Sequence, residues 1–232
     1  MDRPIVELSG VCFAYDGIVA LRNIELSVFE GDTVVLEGCN GCGKSTLIRL
    51  LNGLCYPEQG TYKFEGEEIT ASYLKDSKKA RAFHQKLGYV FQNADTQLFC
   101  SSVRAEVEFG PLQMGLSEEE ARKRADDMLR LLGIEHLKDR APYHLSGGEK
   151  RKVALGCILV MNPKVLVLDE PLTGLDKKTQ LWLVDFLKTL KETGRTMIIA
   201  THNEELTEAL ADRRIMMNDD HEIEDIIDCV KR

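Results

Sequence analysis

The 232-residue sequence has no run of about 18 apolar residues, so no segment reads as a helix that crosses a bilayer by itself. No apolar stretch follows Met1, which argues against a secretory leader. An excess of positive charge is missing too. Against 30 Lys and Arg stand 38 Asp and Glu, a formal net charge of −8. A nucleic-acid binder needs a basic stripe along the phosphates, so the balance points away from nucleic acid. No long linker and no internal repeat divides the chain. A hydrophobic content of 44% suits a globular protein of one large domain, with or without a modest subdomain, expected in the cytosol.

The seven cysteines are scattered and odd in number, unlike a secreted disulfide framework. Cys39 and Cys42 form a CxxC pair with no second pair nearby, which leaves a metal site short of ligands. Backbone amides and Lys44 around them are expected to lower a thiol pKa, making oxidation of this loop conceivable.

Alternating or β-rich runs predict strands at 5–15, 21–29, 33–37, 61–64, 87–91, 165–168, 196–200 and 214–217. Apolar helical spacing predicts helices at 45–52, 117–132, 148–159, 177–190 and 204–211, and a polar, exposed one at 75–86. Ser117 and Glu120 stand in capping-box positions, while Pro111 and Gly115 read as breaks. Residues 92–145 look helical and 219–232 form a short acidic end. Alternating strands and helices imply an α/β sheet covered on both faces.

Residues 38–45 read GCNGCGKS, an ungapped GxxxxGK[ST] between a strand and a helix. Gly38, Gly41 and Gly43 let N–H groups curl around phosphate oxygens, and the helix start points further N–H groups at the same charge. Lys44 reaches the β- and γ-phosphates, and Ser45 offers a hydroxyl to Mg²⁺. Asp169 ends the apolar run Val165-Leu166-Val167-Leu168, placed to contact the metal, and Glu170 beside it can orient or deprotonate a water. Strand-end acids are also common on plain surfaces. A second glycine turn, LSGGEK at 145–150, opens another helix whose N-terminus favours an anion.

Together these stretches resemble the nucleotide-binding subunit of an ATP-binding cassette (ABC) transporter, over nearly the whole chain. The resemblance implies a P-loop NTPase of α/β class. It comprises a RecA-like core sheet, an antiparallel β subdomain, and a helical signature subdomain at about 92–160 within a single 1–232 domain. It implies ATP and Mg²⁺ as cofactors. Asn40 and Thr46 join the phosphate loop, Tyr15 stacks on adenine, Gln92 is the lid glutamine near the metal, and His202 is the switch histidine beside catalytic Glu170. Gly174-Leu175-Asp176 matches the D-loop. Ser146, Gly147 and Gly148 meet the nucleotide of the opposite subunit. Taken alone, a loop glutamine, a lone histidine or an edge tyrosine is ordinarily structural. Two departures stand out: Glu149 where glutamine is commoner, and Leu172 where threonine is usual.

Residues 90–99, 107–112 and 145–154 are similar to energy-coupling-factor and cobalt or nickel importers. The implied partners are a second ATPase subunit, identical or paralogous, a transmembrane coupling subunit and a substrate-capturing membrane subunit. The implied place is peripheral, on the cytoplasmic face of the membrane. Leu98, Phe99 and Phe109 either line a groove for a coupling helix or pack the helical subdomain. The short end after the core gives no expectation of dimerisation without nucleotide. A soluble non-transport cassette ATPase and an exporter subunit remain the alternatives.

Overall fold

The computed structural model describes residues 3–229. Two sheets run through the described residues. The first is antiparallel: β1 (Val6–Tyr15) and β2 (Ile18–Val28) form a hairpin turned by Asp16 and Gly17, both at positive φ. β4 (Gln59–Phe64) pairs β1 on its other side and carries β5 (Glu67–Glu68). The second sheet holds β3 (Thr33–Gly38), β6 (Leu87–Val90), β7 (Val165–Asp169), β8 (Thr196–Ala200), β9 (Arg213–Met217) and β10 (Ile223–Asp228). Its order is β10-β9-β3-β8-β7-β6, parallel except for β10.

The central strands are apolar on both faces because both faces are covered. Val34, Leu36, Val167 and Ile198 point toward the antiparallel sheet and α1 (Lys44–Leu51). Val35, Leu166, Leu168, Met197 and Ile199 point the other way, onto α7 (Lys177–Glu192) and α8 (Glu204–Leu210). This two-residue alternation fixes the register. Each such fully buried side chain stabilises the fold by roughly 1.5–3 kcal/mol. A third core lies among α4 (Val103–Gln113), α5 (Glu118–Leu131) and α6 (Gly147–Leu159), around Val107, Leu129 and Val153. Trp182 of α7 packs on both this core and the second, stacked on Phe186 at 5.3 Å with the Lys152 ammonium 4.1 Å from its ring.

The polar helix expected at 75–86 is α3 (Ser77–Lys86), capped by Asp76, whose side chain accepts from the Lys78 and Lys79 N–H groups; a short helix α2 (Ala71–Lys75), for which the sequence carries no expectation, precedes it. Two local expectations are revised. Pro111 does not break the chain: it lies inside α4, near its C-terminal end, and Gly115 follows at φ 87°. The acidic end contains β10, paired antiparallel with β9 from Ile223↔Met217 to Asp228↔Arg213. Residues 230–232 of that end lie outside the described residues.

Candidate active site

The parallel strands β3, β8 and β7 are neighbours, so their C-terminal ends deliver Gly38, Thr201 and Asp169 to one edge of the sheet. Ligands of open α/β sheets bind at such an edge. Gly38 has φ 144°, and a Cβ there would stand 2.3 Å from the Met217 carbonyl oxygen. Gly43 has φ 111°, and a Cβ would meet the Ala20 carbonyl oxygen at 2.5 Å. These two approaches seat the loop between β2 and β9. No side chain caps the start of α1, which leaves its first N–H groups facing the loop's concavity.

Lys44 curls back into the loop. Its Nζ donates to the carbonyls of Gly38 and Cys39, both at 2.8 Å, and lies 3.7 Å from Cys42 Sγ. Neutral carbonyls are weaker partners for an ammonium than phosphate oxygens are. The thiol expectation fails for Cys39, whose Sγ–H donates to Asp219 Oδ1 at 2.5 Å. That carboxylate, from 180 positions further on, pushes the thiol up to about 11.

Asp169 is buried beside the Ser45 and Tyr89 hydroxyls, which favour its charged form. Burial, then the Glu170 charge, raises its pKa, while Lys44 opposes. Glu170 sits at φ 44°, a region a non-glycine residue enters only when neighbours hold it there. Its N–H donates to the Ala200 carbonyl at 2.9 Å. One carboxylate oxygen lies 2.9 Å from His202 Nδ1 and the other accepts from Thr201 Oγ1 at 3.5 Å. The His202 side chain is 72% exposed, so solvent or a ligand reaches the pair freely.

A cleft of about 370 Å³ brings together Asn40, Gly41, Gly43, Lys44, Ser45, Thr46, Gln92, Asp169, Glu170, His202 and Thr173. Thr173 carries no motif signal of its own and is visible only in three dimensions. Ser45 and Asp169 present the hard oxygen donors that suit Mg²⁺. A wider cleft of about 850 Å³, at Arg3, Glu7, Phe29, Lys63 and Glu65, lacks any such convergence of phosphate- and metal-binding groups.

Six named residues lie off the cleft's lining: Gly38, at the end of β3 where the loop begins, and five more. Tyr15 is half-exposed, edge-on to Phe13 at 4.8 Å with the Arg49 guanidinium 5.9 Å from its ring. Ser146 caps α6, and its hydroxyl and N–H both donate to Glu149 Oε2 at 2.8 Å. Gly147 and Gly148 begin that helix, and Asp176 caps α7.

One further connection is absent from any motif. Arg151 of α6 is buried, and its two terminal nitrogens donate to the carbonyls of Phe91 at 2.7 Å and Gln92 at 2.5 Å. Lys150 pairs with Asp95 at 2.5 Å, and Gln97 Nε2 donates to the Ala154 carbonyl at 2.9 Å. The segment carrying Gln92 is thus fastened to the helix that begins at the Ser146 turn.

A phosphate loop and an acid pair at the edge of a parallel sheet define a P-loop nucleoside triphosphatase. The family profile described as ABC transporter matches residues 21–173. The nickel import ATP-binding protein LarO of Lactiplantibacillus plantarum is 44% identical over 220 residues, covering 95% of this chain and 91% of its own length. The structure of CbiO1 from Clostridium perfringens, part of the transporter complex CbiONQ, superposes with TM-score 0.86 at 36% identity, over 98% of this chain and 89% of that one. A dimeric ATP-binding cassette in a post-hydrolysis state, with ADP and Pi bound, gives TM-score 0.86 at 28% identity over 98% and 100%. The chain belongs to the ABC transporter family and is an ATP-hydrolysing transporter subunit.

Proposed function

We propose that this chain powers a membrane importer for cobalt, nickel or a vitamin by closing as a dimer on ATP and reopening after hydrolysis. The observation that carries this reading is a division of labour. The cleft holds the phosphate loop, Asp169, Glu170, His202 and Gln92, while the Ser146 turn lies outside its lining. A nucleotide seated by Lys44, Ser45 and Thr46 is therefore half-clasped by its own chain. The Ser146–Gly148 helix start and Asp176 of a second copy, identical or paralogous, supply the other half.

Glu170 takes the proton of the attacking water, held by His202 on one carboxylate oxygen and Thr201 on the other. Mg²⁺ held by Ser45 and Asp169, with Gln92 nearby, would neutralise charge on the phosphates. Tyr15, half-exposed at the end of the β1–β2 hairpin, would stack on adenine. Arg151 carries displacement of Gln92 into α6 and so into the helical subdomain of about 92–160.

Phe99, 69% exposed, stands edge-on to half-exposed Phe109 at 5.1 Å, with Leu112 exposed on the same helix as Phe109. This apolar patch supports docking of a transmembrane coupling subunit, with a substrate-capturing membrane subunit beyond it and the ATPase on the cytoplasmic face. No helix among the described residues is long and apolar enough to cross a membrane. The name of LarO, a nickel import ATP-binding protein, supports an importer for a metal ion, and the CbiONQ complex supports assembly with further transporter subunits.

The test is a tagged Glu170→Gln chain isolated with ATP from detergent-solubilised membranes. Two ATPase copies with transmembrane companions are expected. A monomer without membrane companions overturns the proposal.

A further inference from the structure

Two turns assigned above to a partner's nucleotide touch each other within one chain. Asp176 caps α7 through Thr179: one carboxylate oxygen accepts the Thr179 N–H at 3.0 Å, the other its hydroxyl at 2.8 Å. The same side chain faces Gly148. A Cβ on Gly148 would stand 2.6 Å from Thr179 Oγ1 and 3.1 Å from its Cγ2. Gly148 is helical without a positive φ, so backbone conformation does not call for glycine there. Proximity of Thr179 does. Gly147, one position earlier, has nothing within 4 Å of its would-be Cβ.

From this contact we infer that Thr179 is a positioning residue for ATP hydrolysis, clamping the Ser146–Glu149 turn and the Asp176 turn into one unit. Its β-branched side chain has few rotamers, and the bond to Asp176 selects one of them. The methyl group and oxygen are then fixed against Gly148. One turn further along the same seam, Lys152 of α6 lies over Trp182 of α7, so the two helices are joined there as well. The N–H groups offered to the partner's γ-phosphate and the Asp176 carboxylate therefore arrive together. Thr179 itself touches no substrate.

The inference rests on the partner-facing reading of both turns, but the clamp is intramolecular and is measured in a single chain. Thr179→Ala removes hydroxyl and methyl, Thr179→Val keeps the bulk without the hydroxyl, and Thr179→Ser keeps the hydroxyl. Hydrogen exchange of amides 146–150 in the nucleotide-free protein is expected to quicken about tenfold in Thr179→Ala and less in Thr179→Ser. Basal kcat is expected to fall about tenfold in Thr179→Ala and Thr179→Val, while ATP affinity of the single chain stays within about twofold, because no cleft residue is altered. A role limited to capping α7 would quicken exchange at 177–180 alone. Unchanged exchange at 146–150 in Thr179→Ala overturns the inference. Faster exchange there with wild-type kcat overturns the partner-facing reading on which it rests.

Discussion

Glu65 shows how single side chains join the two sheets. It lies in the β4–β5 turn at φ 50° and accepts from Lys86, at 2.6 Å, and from Lys164, each beside a strand of the main sheet. Burial works to raise its pKa, but the two ammonium groups outweigh it and hold the carboxyl below the usual glutamate range. The unfolded chain thus binds this proton more readily than the native state, and stability is lost as pH falls through the lowered folded pKa. Glu65→Gln should lower Tm at neutral pH by about 2–4 °C, given that exposed lysines limit the pair to about 1 kcal/mol. Thermal scans should show the difference vanishing in acid below both pKa values. A residue of this kind is illegible in sequence, because its partners stand 21 and 99 positions away. Lys44 is legible, because its motif is local. Cys39 misleads for the opposite reason: its loop can be read from neighbours, while the Asp219 that sets its pKa cannot.

At the scale of elements, α6 is the connecting rod between the cleft and the helical core. Arg151→Met leaves the Phe91 and Gln92 carbonyls without their buried donors, at about 1–3 kcal/mol, or about 2–4 °C of Tm per kcal/mol. Arg151→Lys keeps the charge but replaces a two-pronged donor with a single ammonium nitrogen. Its ATPase rate should fall about tenfold with nucleotide affinity nearly unchanged, as steady-state kinetics and a fluorescent-nucleotide titration would show. The strands β3, β7 and β8 are readable because continuous apolar runs bounded by glycines or acids have few other uses. Helix α4 is hidden by Pro111, which marks an end when read locally and yet fits near the C-terminal end of the helix. β10 is hidden by its acidic composition, since its pairing comes from β9 and not from its own pattern.

For the whole molecule, strand periodicity announces an α/β fold but not the order β10-β9-β3-β8-β7-β6, which depends on crossovers among distant segments. The cleft is readable to the extent that its groups fall in short motifs. Arg151 escapes notice because folding alone brings it near Gln92, 59 positions away, and Thr173, only three positions after Glu170, because a threonine in a turn carries no signal of its own. Division into three apolar cores matters for dynamics: packed interiors shift as units, so a displacement of the α4–α6 body is expected along its contacts with α7, where the second and third cores meet. Trp182 is the chain's single tryptophan and belongs to both sides of that boundary. The protein therefore carries its own optical gauge. Indole emission, quenched or shifted as the ring's cationic and aromatic neighbours slide, should change when Mg-ATP is added to Glu170→Gln and return on nucleotide removal. Stopped-flow fluorescence would time the power stroke without an attached dye.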